Sequence, residues 1–379
     1  MWTWPTKHAR LLWSLACAGL VLILVGFAVR APVKDWWLAR QACDGALPGE
    51  DLETVRTEAR LGSYEESFDE ETGAYRCVLR NDADKVVIAV EAFPPGYSRD
   101  EELSSIGRSH APHAVLPGGL PGFEAPNSQV YLLPECADGV EDPGGQDTRL
   151  LVGTWTYFAE SRAEKAAMLR LAVRMTNHVT EKLGCGSEPL PLPEPEAVPD
   201  TGRFVARTET KNTPCAAFAT TRVPEEGRDG EVRIAVADGG IVGRCTLHAP
   251  SGEDSKRSDG RGQALVELTS WRGNWGTELR EMGSGPDPLP MGPGAWKPAL
   301  TGSRAWAVAM CDGQKAGFAA HWGLDSGLGL KYRKNGKYAP PGEEEVRESS
   351  ARLRAYVTAF AEEQVRREGC TDLQLPSAP

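Results

Sequence analysis

Eight cysteines in two matching series constrain this chain more than any other feature. The first series is Cys43, Cys77, Cys136 and Cys185; the second is Cys215, Cys245, Cys311 and Cys370. Successive intervals are 34, 59 and 49 residues in the first and 30, 66 and 59 in the second. An even count at repeating spacings points to disulfides and an oxidising compartment. The intervals are far longer than those of a compact Cys-x2-Cys zinc site, and no histidine stands beside a cysteine at metal spacing. Four cysteines allow three connectivities in each half. Cys136 and Cys311 end strand-like runs, while Cys185 and Cys370 end helix-like ones that should pack back on the same sheet. That geometry favours Cys43–Cys77, Cys136–Cys185, Cys215–Cys245 and Cys311–Cys370, with the other pairings within a half left open.

The two series mark an internal repeat. Tyr75 to Arg80 (YRCVLR) and Lys85 to Phe93 (KVVIAVEAF) answer to Gly243 to His248 (GRCTLH) and Gln263 to Trp271 (QALVELTSW). Leu116 to Phe123 (LPGGLPGF) answers to Leu289 to Trp296 (LPMGPGAW), and Ser128 to Cys136 answers to Ser303 to Cys311. Cysteine is then followed by Asp-Gly, a turn signal. A further strand comes next, at Arg149 to Phe158 or Lys315 to Trp322. Each half closes with an amphipathic helix that ends in Gly-Cys, over Ser161 to Cys185 and Glu345 to Cys370. Met168, Leu171, Ala172, Met175 and Val179 form one apolar stripe; Val346, Ser350, Leu353, Val357 and Phe360 form the other. The expected fold is α+β: two similar domains, 41–185 and 201–375, each a mainly antiparallel sheet packed by its C-terminal helix. Residues 186–200, rich in proline, read as a stiff extended linker. The halves differ after their first cysteine. Asp44 to Arg60 suggests a short helix on Leu52, Val55 and Ala59, whereas Glu231 to Ala237 is a strand. The second half also carries two polar insertions, Ser251 to Gly262 and Asp325 to Gly342.

Ahead of the repeats, Leu11 to Val29 is an apolar run without a single charge. At about 1.5 Å per residue it matches the hydrocarbon core of a bilayer. Trp2, Trp4 and Trp13 flank one end and Trp36 and Trp37 the other, as interfacial belts do. Pro32 follows Ala31, the best small-residue cleavage site, so the segment reads as an uncleaved transmembrane helix with residues 1–10 as a cytoplasmic tail. Cys17 sits inside the apolar run after Ser-Leu-Ala, a poor lipobox. Flanking charge is similar on both sides, and the cysteines place the C-terminal domains outside. The chain carries a net charge of −11, and residues 1–40 contribute +4, leaving −15 on the body. A body that acidic excludes a phosphate backbone as partner, so no nucleic acid is expected.

No serine elbow, His-Glu-x-x-His, phosphate-binding loop or dinucleotide fingerprint occurs. His110 and His113 are the one close histidine pair and lack a third ligand. His178 reads as a boundary residue of the closing helix; His248 and His321 lie on strands, and the sequence suggests no partner for them. The acidic run Asp51, Glu53, Glu58, Glu65, Glu66, Asp69, Glu70 and Glu71 lacks calcium-loop spacing and reads as a solvated face. Trp271, Trp275 and Trp296, in Gly-Pro-rich surroundings, offer either a ligand platform or a cover for a sheet edge. Catalytic, cofactor and metal residues are therefore assigned to none.

Cys43 with Asp44-Gly45, Tyr75 to Arg80 and Leu183-Gly184-Cys185, with their second-half counterparts, resemble a family of actinobacterial membrane-anchored surface proteins of unknown function. Arginine outnumbers lysine 30 to 12, in keeping with that source. The resemblance implies an anchored ectodomain and no activity. The expected function is that of a single-pass extracytoplasmic binding or interaction protein. Its partners would be an extracytoplasmic protein or cell-envelope ligand, and the bilayer through residues 11–29. The alternatives are a cell-envelope hydrolase with an unrecognised site and a structural spacer.

Overall fold

Apolar runs punctuated by Gly, Pro and Asp become two antiparallel sheets, and the two stripes bury on them. In a computed structural model the described residues are 32–378, apart from 57–58, 70–71, 95–96, 109–113, 126–127, 137, 139–149, 158, 237–239, 251–261, 274–296, 324–332, 335–336 and 339–340. The apolar segment 11–29 lies outside them, and no described helix is long and apolar enough to cross a membrane. Residues 32–41 are helical and lead into a short turn at Cys43. Helix α1 follows at Gly49–Arg56.

The first sheet contains β1 (Leu61–Asp69), β2 (Ala74–Asn81), β3 (Val86–Phe93), β4 (Ala114–Val115), β5 (Gly122–Ala125), β6 (Gln129–Leu132) and β7 (Leu151–Trp155). Helix α2 (Tyr97–Arg108), which sequence patterning does not reveal, joins β3 to β4. The strand order is β1-β2-β3-β7-β6-β5-β4. The second sheet contains β8 (Arg203–Ala206), β9 (Glu231–Val236), β10 (Val242–His248), β11 (Ala264–Arg272), β12 (Ala299–Leu300), β13 (Arg304–Cys311) and β14 (Gln314–Trp322), in the order β12-β13-β14-β11-β10-β9-β8. Read from the other edge, six strands match one for one: β1, β2, β3, β7, β6 and β5 take the places of β9, β10, β11, β14, β13 and β12. The duplication is therefore visible in topology as well as in sequence.

The closing helices are α3 (Arg162–Lys182) and α5 (Glu343–Glu368). Ser161 and Glu164 form a capping box at the start of α3, in which side chain and backbone satisfy each other's free N–H groups. Glu164 N donates to Ser161 Oγ at 3.2 Å, and Ser161 N donates to Glu164 Oε2 at 2.7 Å. Gly369, at φ 66°, ends α5. Glycine adopts that left-handed conformation without strain. Met168, Leu171, Met175 and Val179 bury against the first sheet, and Leu353, Val357 and Phe360 against the second. A small helix α4 (Ala217–Thr220) follows Cys215, so the second half has its own short helix after the first cysteine. Beyond the two-residue strands β15 (Arg333–Lys334) and β16 (Lys337–Tyr338), the tail after Cys370 forms β17 (Thr371–Gln374) on β13 instead of a free end.

Disulfides join Cys43 to Cys77, Cys136 to Cys185, Cys215 to Cys245 and Cys311 to Cys370. In each half, one bond staples the segment of the first cysteine, which precedes β1 in the first half and lies between β8 and β9 in the second, to a strand of the sheet. The other ties the C-terminal end of the closing helix to the sheet. Four such bonds suit an extracytoplasmic compartment.

The faces turned away from the closing helices meet each other. Leu103 and Ile106 of α2 with Phe123, Tyr131, Leu133 and Leu151 share one core with Val242, Trp271, Trp306, Val308 and Ala319. The layers run helix, sheet, sheet, helix. Equivalent positions of the two copies enter the same join, Tyr131 answering to Trp306 and Leu133 to Val308. Residues 186–200 do not hang free between the halves. Asn177 Nδ2 donates to Leu190 O at 2.9 Å and its Oδ1 accepts from Leu190 N at 2.8 Å. Arg170 reaches Pro195 O, and Val115 bridges to Asp200. The proline-rich segment is a strap laid on α3, because two sheets sharing a core leave it no gap to span.

Candidate functional site

A charged residue placed mid-strand between two apolar layers must find a partner or a ligand, since burial removes its hydration. The second sheet holds several such residues in one transverse row. Cross-strand register aligns Phe204, Arg233, Thr246, Glu267, His321 and Arg304 on β8, β9, β10, β11, β14 and β13. The row lies on the inter-sheet face, near the ends of β10 and β14 and the starts of β11 and β13. Both polar insertions, 251–262 and 325–342, leave the sheet at that end, and their residues 251–261 and 325–332 lie outside the described set.

Glu267 is 4% exposed and pairs with Arg244, which stands two residues before Thr246 on the same face of β10. His321 is buried, with Nδ1 3.2 Å from Trp322 O. His248 Nδ1 lies 2.9 Å from Gly262 O, and the ring packs on Phe204 with centroids 5.4 Å apart. Burial is the main cause that pushes the His248 imidazole below its ordinary range, opposed by its bond to the Gly262 carbonyl. Loss of hydration disfavours the charged ring. Its Nε2 and the Oγ1 of Thr246 are buried and make no hydrogen bond among the described residues. Arg304 is 8% exposed, and its Nη1 has no acceptor among them; desolvation lowers its guanidinium to about 10. Two residues on, Trp306 is 1% exposed, and its Nε1 has no acceptor among the described residues. The arrangement offers buried hydrogen-bonding capacity beyond what the described residues use.

Among the described residues the first sheet carries no such row. Its matching positions are Glu65, Val78, Ala89, Trp155 and Gln129, aligned by the same register. Tyr131, the counterpart of Trp306, has its polar tip satisfied: its hydroxyl donates to Glu102 Oε1 of α2 at 2.7 Å. The two halves share a scaffold, and the polar row belongs to one of them.

The residues singled out in the sequence fall elsewhere. His110, His113, Trp275 and Trp296 lie outside the described residues. Trp271 is no exposed platform: it is 4% exposed in the shared core, edge-on to Phe123 at 5.8 Å. His178 approaches Asp44 at 3.7 Å, beside the Lys182–Asp44 pair and Glu66. Lys182 draws the Asp44 carboxyl below its usual range, chiefly by hydrogen bonding. Asp44, held at φ 53°, anchors the first-cysteine turn to the end of α3, which is a structural task. The acidic run is not wholly solvated either, because Asp51 is 5% exposed and accepts from Arg170 Nε at 2.8 Å. Among the described residues no group of His, Cys, Asp or Glu is placed to hold a metal ion. Sequence reasoning passed over Arg304 and Glu267. The available signal was a lone charge inside an apolar strand, in SRAWAVAMC and ALVELTSW.

No protein family, no curated protein and no solved structure matches the chain.

Proposed function

We propose that the chain is a single-pass, membrane-anchored, extracytoplasmic binding protein whose binding surface lies on the second domain, at the sheet end that carries the polar row. Its partner is an extracytoplasmic protein or cell-envelope ligand, and residues 11–29 hold it in the bilayer, in keeping with the resemblance to anchored actinobacterial surface proteins. The observation that carries the reading is the row and its neighbours: a disulfide-stapled framework keeps Thr246 Oγ1, His248 Nε2, Arg304 Nη1 and Trp306 Nε1 buried, with no hydrogen bond among the described residues. A spacer would gain nothing from such groups, since each costs stability unless something meets it. The shared core supports one body with one site over two tandem sites. The test has two parts. Protease added to intact cells should cut the domains while sparing residues 1–10, and deletion of 1–31 should release the protein from the membrane fraction. Envelope ligand captured by the full chain should be lost when Glu267 and Arg304 are both neutralised; equal capture by that variant sinks the assignment of the surface.

A further inference from the structure

We propose that Arg304 and Trp306 form the donor pair of a site for the oxyanion end of a small ligand, a carboxylate or a phosphate. The proposal deepens the binding reading above and rests on it. Arginine offers five N–H donors and no acceptor, and the indole offers one donor and no acceptor. Both side chains are more than nine-tenths buried, and each keeps a donor without a partner among the described residues: Nη1 of Arg304 and Nε1 of Trp306. Two unmet donors two residues apart on one strand call for an acceptor-rich group, and the charge on one of them calls for an anion. The row's own carboxylate, Glu267, stands two strands from Arg304 and is committed to Arg244. Two strand spacings amount to about 10 Å, beyond hydrogen-bonding reach.

Position supports the pairing. Arg304 and Trp306 are two residues apart on one face of β13, about 7 Å at Cα, so a guanidinium edge and an indole N–H can each reach a different oxygen of one oxyanion. Gly317 makes room for the indole, since a Cβ there would collide with Trp306 Cζ2. The first domain shows the same architecture with its needs met internally: Gln129 replaces the charge, and Tyr131 is satisfied by Glu102. The second copy carries a charge there, and no acceptor for Arg304 Nη1 or Trp306 Nε1 is found among the described residues.

The test uses the full chain in detergent with its disulfides intact, at constant ionic strength with chloride as the balancing anion. Inorganic phosphate and sodium acetate are the probes. The indole N–H resonance that disappears in Trp306→Phe should shift as phosphate or acetate is added, with an apparent Kd in the millimolar range. A response to phosphate alone assigns a phosphorylated ligand, and a response to acetate alone a carboxylate. Arg304→Met should weaken the response at least tenfold while melting at or above the wild-type temperature in chloride buffer free of phosphate and acetate, because a buried charge without a partner among the described residues has been removed. A variant that melts well below wild type there shows that Arg304 serves the fold, and the proposal falls. It also falls if neither probe moves the resonance relative to chloride. If Arg304→Met binds as wild type does, anions bind elsewhere and this site is wrong. Continued capture of envelope ligand by the full chain in either case leaves the broader binding reading standing.

Discussion

Removing the Phe123 ring tests whether the two halves are one cooperative body. Phe123 is fully buried on the first sheet, with its ring centroid 5.6 Å from Tyr131 and 5.8 Å from Trp271 of the second domain. Burying such a side chain stabilises by about 1.5–3 kcal/mol, and each aromatic contact adds about 0.5–1.5 kcal/mol. With the cavity left behind, Phe123→Ala should cost about 3–5 kcal/mol. If both sheets melt together, about 340 residues unfold with an entropy of about 0.7 kcal/mol/K, and Tm falls by about 4–7 °C in a single transition. If the first half melts alone, about 150 residues carry about 0.3 kcal/mol/K, and its Tm falls by about 10–16 °C. Differential scanning calorimetry of the oxidised full chain separates the two cases. A second transition that stays at the wild-type temperature would refute the shared core as the organising layer.

Three further outcomes follow from particular contacts. Cys311 and Cys370 close a loop with a sequence separation of 59. Replacing both by alanine should cost about 4 kcal/mol by urea denaturation, through the freed unfolded chain. Glu124 is 3% exposed, its Oε2 has no hydrogen bond among the described residues, and burial raises its carboxyl above the ordinary range against the pull of Lys165 and Arg233. A raised folded-state value gives stability that is full below the unfolded value, 4.5, and is lost as pH rises through the folded one. Glu124→Gln should therefore melt progressively higher than wild type as pH climbs from that value toward neutral, and a constant difference would count against the burial argument. Gly317→Ala pushes a Cβ onto the Trp306 ring. Such overpacking should cost about 1–3 kcal/mol, with a displaced Trp306 indole resonance.

Much of the architecture was legible because disulfides and periodicity act over long stretches. Cysteine spacing exposed the duplication, and the stripes on Met168 to Val179 and Leu353 to Phe360 identified the faces that bury. What stayed hidden depends on what lies across a sheet. Strands buried on both faces read as apolar runs. So β11 and β13 announced a core without saying that a second sheet supplied half of it. Trp271 looked like surface because its flanks are Gly-rich, yet its partner Phe123 belongs to the other half of the chain. Helix α2 escaped notice because its sequence, YSRDEELSSIGR, has only Leu103 and Ile106 to signal a buried side, and both point at that same join. The polar row is invisible as a motif, since its six members come from six strands and meet only through register.

The divergence between the copies supports the proposed site more than any single residue does. A duplicated fold begins with two equal surfaces, and packing them together consumes the inner face of both. Where only packing is required, the row drifts to apolar or neutral side chains, as at Val78, Ala89, Trp155 and Gln129. The second copy holds Thr246, Glu267, His321 and Arg304 at the same register, buried to between 2% and 8% exposure. Charge is costly at such depth. The Arg244–Glu267 pair offsets part of that cost internally. Nothing in the row offsets Arg304, although glutamine at the matching place in the first copy shows that the strand does not need the charge. A neutral residue at one copy, against a buried guanidinium N–H with no acceptor among the described residues at the other, is the difference on which the proposed anion site rests.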